Sequence, residues 1–216
     1  MHNTVKNLIY IQELIKSKTN RDTLTKIIAV SKTFPIENVL PLIEHGHLHY
    51  GENKVQEAIE KWTDIKNENY NIQLHLIGRL QTNKVKLALK IFDYIHSLDS
   101  EKLANKISDE QEKQRKKPKI FIQVNIGNED QKSGIDKKYL NDFYLFCKNL
   151  NLDIIGTMCI PPNDGNTEKY FSEMNEINQE LNLKELSMGM SGDYLGAVKN
   201  NATYVRLGSI IFGSRS

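Results

Sequence analysis

The sequence predicts an α/β fold, a single-domain (β/α)8 TIM barrel with an extra helix at its N-terminus. Eight short apolar runs alternate with seven stretches of helical periodicity, the count that a closed parallel barrel needs. Two runs, Ile120-Phe121-Ile122 and Ile154-Ile155, are apolar at consecutive positions, as strands covered on both faces are. No low-complexity linker or proline-rich spacer divides the chain, so residues 1–216 are expected to form one domain.

The predicted elements follow one another regularly. An opening helix is predicted over residues 3–18, where apolar residues from Val5 to Ile15 recur at three- and four-residue steps. Strands are predicted at residues 27–30, 47–50, 72–76, 94–97, 119–125, 152–158, 185–187 and 203–206. Helices are expected between them at residues 36–44, 53–65, 81–91, 100–115, 136–149, 166–182 and 193–200. Little sequence remains for a helix after the eighth strand.

Composition and charge give no reason to expect a nucleic-acid or membrane partner. The net charge is +2, from 29 basic and 27 acidic residues, which gives no reason to expect nucleic-acid binding. The N-terminus does not read as a signal peptide, and no apolar run approaches the length of a membrane span. Cys147 and Cys159 do not form a C-x-x-C pair, so a reduced, cytoplasmic setting with structural thiols is the simplest interpretation.

The first predicted strand ends in a lysine. Its apolar run, residues 27–30, is followed directly by Ser31-Lys32-Thr33. In a barrel the functional groups cluster at the carboxyl ends of the strands, so Lys32 is expected at the working rim. Because the core holds the strand beneath it, the amine has a fixed direction and is a candidate for a Schiff base.

Two glycine-containing turns follow the seventh and eighth strands. They are Ser187-Met188-Gly189-Met190-Ser191-Gly192-Asp193 and Arg206-Leu207-Gly208-Ser209. Glycine lets the backbone approach a ligand, amides at a helix start bind anions, and serine hydroxyls add donors. Barrels often bind phosphate after these two strands, so the turns together predict a phosphate site.

A phosphate site near a strand-end lysine suggests a phosphorylated carbonyl compound. One option is pyridoxal 5′-phosphate, and the other is a sugar phosphate in a cofactor-free, aldolase-type reaction. Arg206 favours the first option, because a guanidinium beside the phosphate turn could reach a pyridine nitrogen. A permanent cation there keeps the ring nitrogen unprotonated and weakens the ring as an electron sink.

Five motifs, in order along nearly the whole chain, resemble the pyridoxal-phosphate homeostasis proteins, formerly the proline synthetase co-transcribed homologues. The motifs are Ile28-Ala29-Val30-Ser31-Lys32-Thr33, Gly51-Glu52-Asn53-Lys54-Val55-Gln56-Glu57, His75-Leu76-Ile77-Gly78-Arg79-Leu80-Gln81-Thr82-Asn83-Lys84, Ser187-Met188-Gly189-Met190-Ser191-Gly192-Asp193 and Val205-Arg206-Leu207-Gly208-Ser209-Ile210-Ile211-Phe212-Gly213. The chain departs from the family pattern at residues 200–203, where a Gly-Ser-Thr turn is common, and at Ser209, which replaces a frequent threonine but keeps the hydroxyl.

The resemblance implies a fold like the barrel domain of alanine racemase and specific roles in binding pyridoxal phosphate. Lys32 matches the lysine that carries the Schiff base, and Arg206 matches the arginine that faces the pyridine nitrogen. The remaining matched positions comprise three phosphate-binding residues and two residues lining the mouth. The phosphate-binding residues are Ser191, Gly208 and Ser209, and the mouth residues are Asn53 and His75.

The resemblance also implies a function without catalysis. Alanine racemase takes its second base, a tyrosine, from an additional C-terminal domain, whereas here Phe212-Gly213 is followed by three residues. A non-enzymatic protein for homeostasis of pyridoxal phosphate and of amino and keto acids is therefore expected. It would act as a monomer that passes the cofactor to apo-enzymes. The alternatives are a weak amino-acid racemase and the cofactor-free aldolase.

No metal site is predicted. His45, His47 and His49 alternate along the chain, but no cysteine or acidic residue stands at a ligand spacing from them. Packing or hydrogen bonding is the preferred interpretation of these histidines.

Overall fold

The computed structural model describes residues 1–18, 25–68, 71–129 and 131–213 and forms a closed barrel of parallel strands. Each strand pairs with the next along the chain, and the last pairs with the first, so the predicted fold class is confirmed. The strands are β1 (Lys26–Val30), β2 (His49–Glu52), β3 (Gln73–Leu76), β4 (Tyr94–Leu98), β5 (Lys119–Gln123), β6 (Asp153–Met158), β7 (Glu185–Ser187) and β8 (Tyr204–Leu207).

Helices surround the barrel. They are α1 (Asn3–Lys18), α2 (Ile36–Glu44), α3 (Val55–Asn67), α4 (Val85–Ile91), α5 (Glu101–Gln114), α6 (Leu140–Asn149), α7 (Thr167–Glu180), α8 (Tyr194–Lys199) and α9 (Ser209–Phe212), with 3-10 turns at Thr82–Lys84 and Lys137–Tyr139. Within the described ranges, none of these helices combines the length and the apolar content that a bilayer span requires.

Several elements differ from the sequence-based expectation; for example, β5 was predicted over residues 119–125 but ends at Gln123. The short helix α9 was not expected, and it forms because the amides of Ile211 and Phe212 donate to the carbonyl of Gly208 at 2.9 and 3.0 Å. Strand β2 was predicted at residues 47–50 but begins two residues later, since the amide of His47 still donates to Leu42 at the end of α2. A shift of two preserves the inward-outward alternation of side chains.

The barrel interior is filled by side chains. A small apolar cluster occupies it, separate from the larger core between the strands and the helices. The buried members of the inner cluster are Ile28, Val30, Tyr94, Phe121, Met158 and Tyr204. Because the interior is packed, as is usual for this fold, a ligand has room at an end of the barrel rather than along its axis.

Candidate functional site

A cavity of about 500 Å³ lies at the carboxyl ends of the strands. It is lined by residues that follow strands far apart in the sequence, which the closed barrel brings to one rim. All the predicted binding residues except His75 line it, namely Lys32, Asn53, Ser191, Arg206, Gly208 and Ser209. The remaining lining residues are Val30, Phe34, Ile77, Ile160, Met190, Gly192 and Gly213. The lysine and both glycine turns therefore share one space.

Lys32 lies in a tight turn immediately after β1. The amide of Ser31 donates to the carbonyl of Gly51 at 3.0 Å, which extends the pairing with β2 one residue beyond β1. The turn closes where the amide of Phe34 donates to the carbonyl of Ser31 at 3.1 Å, and Thr33 takes a left-handed conformation with φ of 69°. The backbone of Lys32 is thus fixed on both sides, and its side chain is half-buried.

A buried carboxylate holds the residue before Lys32. One oxygen of Glu52, Oε1, accepts hydrogen bonds from the Ser31 hydroxyl at 2.7 Å, the Lys61 ammonium at 2.8 Å and the Trp62 indole at 3.0 Å. Glu52 is fully buried, so the positive charge of Lys61 is what makes an ionised carboxylate tolerable there. The roles of Lys61 and Trp62 could not be predicted from the sequence, because the periodicity of α3 does not show which strand end these two residues face.

Asn53, directly after β2, is placed by a close backbone contact. The chain at Gly78 passes so near that a Cβ there would lie 2.3 Å from the carbonyl oxygen of Asn53. A side chain at residue 78 would therefore displace this part of the rim, which gives the glycine of the third motif a steric reason.

The two glycine turns are joined to each other. The amide of Arg206 donates to the carbonyl of Gly189 at 2.9 Å, and the amide of Gly208 donates to the hydroxyl of Ser191 at 3.3 Å. The first amides of α9, those of Ser209 and Ile210, have no acceptor inside their own helix because of their position in it. Hydroxyls and amides suited to an anion are thereby gathered on one side of the cavity.

Arg206 lines the buried base of the cavity. Its side chain is buried, its Nη1 donates to the hydroxyl of Ser187 at 2.8 Å, and its Nη2 donates to the carbonyl of Cys159 at 2.8 Å. Burial lowers the pKa of Arg206, but a guanidinium starts so high that it stays charged at neutral pH. Two fixed hydrogen bonds therefore orient a permanent cation at the base of the cavity.

His75 is placed differently from the expectation that it lines the mouth. It lies inside the barrel, fully buried, with ring nitrogens 2.9 Å from those of His49 and His96. Its ring stacks on Tyr94 with 4.1 Å between centroids. The reason is its place in β3, where an inward-pointing residue before the strand end falls below the rim.

Another cavity, of about 530 Å³, lies at the opposite end of the barrel between α1 and the start of β1 and β2. Apolar side chains of α1 form much of its wall, including Leu8, Ile9 and Ile15. Among the residues that the structure describes, its lining includes neither a serine nor an arginine, so the rim cavity is the candidate site.

Comparisons with known proteins find relatives along most of the chain. The profile of the family described as "Alanine racemase, N-terminal domain" matches residues 7–216. The pyridoxal phosphate homeostasis protein of Pasteurella multocida is 35% identical over 216 residues, covering 95% of this chain and 93% of that protein. The protein of the same name from Aquifex aeolicus is 35% identical over 215 residues, with the same two coverages.

Solved structures include proteins that are similar to this chain over nearly its whole length. PipY of Synechococcus elongatus without PLP is 31% identical with a TM-score of 0.88, covering 98% of this chain and 100% of that chain. PipY with PLP bound is 32% identical with a TM-score of 0.86, covering 97% of this chain and 100% of that chain. The resemblance noted in the sequence is confirmed, and the chain belongs to the alanine racemase N-terminal domain family and, within it, to the pyridoxal phosphate homeostasis proteins.

Proposed function

We propose that this chain binds pyridoxal 5′-phosphate in the rim cavity, holds it as a Schiff base on Lys32, and serves in intracellular homeostasis of the cofactor and of amino and keto acids. The observation that carries the proposal is the convergence of Lys32, Ser191, Ser209 and Arg206 on one cavity of about 500 Å³. That volume lies within the range of small-molecule sites.

The groups lining the cavity suit the three parts of pyridoxal phosphate. Bound there, the cofactor supplies an aldehyde that condenses reversibly with amines, and Lys32 supplies an amine on a fixed backbone. The hydroxyls of Ser191 and Ser209, with the first amides of α9, supply donors for a phosphate. Arg206 supplies the donor for a ring nitrogen, and its own two hydrogen bonds keep it in place.

The same cavity supports a role without turnover. Its ionisable side chains, within the described part of the chain, are Lys32 and Arg206. Racemisation needs a base on each face of the reacting carbon, and a guanidinium does not accept a proton at neutral pH. Arg206 also keeps the ring nitrogen unprotonated, which makes the ring a poorer electron sink. The names of the relatives, which are homeostasis proteins, support this proposal.

The decisive experiment is borohydride reduction of the protein loaded with pyridoxal phosphate, followed by peptide mass mapping. Reduction fixes the cofactor to the amine that holds it, so the added mass is expected on the peptide containing Lys32. Lys32→Ala is expected to abolish the label, whereas Lys54→Ala, which removes an exposed rim-side lysine, is expected to leave it unchanged. Label on another lysine, or no label, contradicts the proposal.

A weak amino-acid racemase is the second candidate. It is favoured by the match of this chain to the family described as "Alanine racemase, N-terminal domain". Conversion of alanine or serine enantiomers that is lost in Lys32→Ala would favour it over the carrier. Absence of conversion, with the label still on Lys32, would favour the carrier.

The expected partners are apo-enzymes that receive the cofactor, and the proposed setting is the cytoplasm with the protein as a monomer. Cys147 and Cys159 are both buried free thiols, which fits a reduced compartment. Size-exclusion chromatography with light scattering tests the monomer, and transfer of the cofactor to an apo-enzyme, followed by its regained activity, tests delivery.

A further inference from the structure

A continuous line of hydrogen bonds crosses the barrel interior and ends at Arg206. Nδ1 of His49 lies 2.9 Å from Nε2 of His75, and Nδ1 of His75 lies 2.9 Å from Nε2 of His96. Nδ1 of His96 lies 3.0 Å from the hydroxyl of Ser187, and the oxygen of that hydroxyl accepts a hydrogen bond from Nη1 of Arg206. We call His49, His75 and His96 the histidine column. It runs from the first residue of β2, at the opposite end of the barrel, to the base of the rim cavity.

We propose that Ser187 and the histidine column are positioning residues for Arg206, and that Arg206 fixes the proton of each of the three imidazoles on Nε2. A guanidinium has donors and no acceptor, so the Ser187 oxygen must accept from it. Within the described residues, the other hydrogen-bond partner of that oxygen is His96 Nδ1, which is therefore the acceptor for the hydroxyl hydrogen. The opposite direction would leave this hydrogen buried without an acceptor.

The donor and acceptor at each remaining contact of the histidine column follow from the role of His96. With Nδ1 of His96 accepting, a neutral imidazole carries its proton on Nε2 and donates it to Nδ1 of His75. His75 in turn donates from Nε2 to Nδ1 of His49. One donor and one acceptor meet at every contact, so the network is satisfied with all three rings neutral.

Burial keeps the rings neutral. It lowers the pKa of His75 and of His96 well below the usual value, and the permanent positive charge of Arg206 lowers the pKa of His96 further. Burial also lowers the pKa of His49 to about 4, with smaller contributions from His47, Lys26 and Lys119.

Ring packing holds the column in one orientation. His75 stacks on Tyr94, and His96 stacks on Phe121 with 4.2 Å between centroids. A ring held between aromatic neighbours cannot turn to exchange its two nitrogens without disturbing the barrel interior. The lone pair of the Ser187 oxygen therefore stays directed at Nη1 of Arg206, while Cys159 holds Nη2, and the guanidinium plane is set before any ligand arrives.

The first test uses the protein without cofactor and does not depend on the proposed function. In protein labelled with ¹⁵N-histidine, nitrogen chemical shifts distinguish protonated from unprotonated ring nitrogens. His49, His75 and His96 are each expected to carry a single proton on Nε2 between about pH 6 and pH 8. In Arg206→Met, which removes every donor, His96 is expected to lose this single tautomer. A proton on Nδ1 of His75 or His96, or a tautomer unchanged in Arg206→Met, overturns the proposal.

His45→Asn is the matched control for the assignment, because His45 is exposed and outside the column. Its spectrum is expected to lack one histidine while the three column signals stay where they are.

The second test rests on the proposed function and measures pyridoxal phosphate affinity. Ser187→Ala removes the oxygen that holds Nη1, and the dissociation constant is expected to rise about tenfold. Ile28→Val, in the same interior but without a polar group, is the packing control and is expected to leave affinity within about twofold. Equal affinities for the folded Ser187→Ala variant and the wild type overturn the positioning role. If wild-type protein binds no cofactor, the proposed function fails while the tautomer result stands.

Discussion

Nζ of Lys61 lies 2.7 Å from the carbonyl oxygen of Ser31, the residue immediately before Lys32. A helix residue on the outside of the barrel thus holds the peptide that leads into the proposed Schiff-base lysine. The same ammonium lies 2.8 Å from Oε1 of Glu52, so one cation serves both the strand end and the buried carboxylate. The position of Lys32 is therefore fixed from β1, β2 and α3 together.

Removing Lys61 is expected to destabilise the protein strongly. Lys61→Met leaves the fully buried Glu52 without its counter-charge, which typically costs about 3–5 kcal/mol. The double variant Lys61→Met/Glu52→Gln is expected to recover a large part of that loss, because the uncompensated charge is gone. Urea denaturation measures the free energy of unfolding of the single and the double variant.

Lys54→Met, which breaks an exposed pair with Glu57, is the control and is expected to change stability by less than about 1 kcal/mol. Similar losses in Lys54→Met and Lys61→Met would contradict this account.

Ser191 and Ser209 are expected to bind the phosphate and not the ring. Ser191→Ala or Ser209→Ala should therefore weaken pyridoxal phosphate about tenfold while leaving the affinity for pyridoxal, which lacks the phosphate, nearly unchanged. Fluorescence or absorbance titration with both compounds measures the difference. Ser172→Ala, on the exposed face of α7, is the control. Equal weakening for both compounds would place these hydroxyls elsewhere on the ligand.

The turn after β7 requires glycine at residue 189. Gly189 has φ of +90°, and a Cβ there would lie 2.6 Å from Cβ of Ala197. Gly189→Ala is expected to lose about 1–3 kcal/mol from backbone strain, and more from the clash. Gly165→Ala separates the two effects, because Gly165 has φ of +82° with nothing within 4 Å of its Cβ position. Thermal or urea denaturation of the pair is the measurement. Equal losses would mean that the contact with Ala197 relaxes without cost.

Acidification is expected to destabilise the protein through the partly buried histidines His47 and His49. Burial lowers the pKa of His47 and of His49 from the usual 6.5 to about 4. Between about pH 4 and pH 6.5 these histidines bind more protons in the unfolded chain than in the folded one. The free energy of unfolding therefore keeps its full value above about pH 6.5 and falls as the pH decreases towards 4. The free energy of unfolding falls by up to about 1.4 kcal/mol per pH unit because of His47. The decrease due to His49 is smaller, because solvent screens this residue more.

Urea denaturation at about pH 7.5 and about pH 5.5 measures this dependence. His47→Gln is expected to reduce the pH dependence clearly. His45→Gln, at an exposed position that contributes only the smallest part of the lowered pKa of His47, is expected to change it little. A free energy of unfolding that is equal at the two pH values would contradict the assignment of neutral imidazoles to His47 and His49 in the folded protein.

Local patterns were enough to predict much of this protein. The alternation of apolar runs and helical stretches predicted the closed barrel, and a strand that ends in Ser31-Lys32 predicted a lysine at the rim. The glycine turns could be recognised because a turn with a positive φ requires glycine at a particular position of a short segment, as at Gly189. The start of β2 was misplaced because hydrogen bonding at the end of α2 continues to His47, three residues past Glu44. The amide of His47 donates to the carbonyl of Leu42, a contact that an apolar pattern does not show.

The order of the elements, the strand-end lysine and the two turns could be predicted from the sequence, since each depends on neighbours along the chain. The alignment of His75 with His49, His96 and Ser187 inside the barrel, and the contact of Lys61 with Ser31, are visible only in the folded protein. Those contacts join separate strands and helices, so they depend on how closure of the barrel rotates each element. A sequence pattern assigns a side chain to a face, whereas partners across a barrel are set by register and by the space left between packed neighbours.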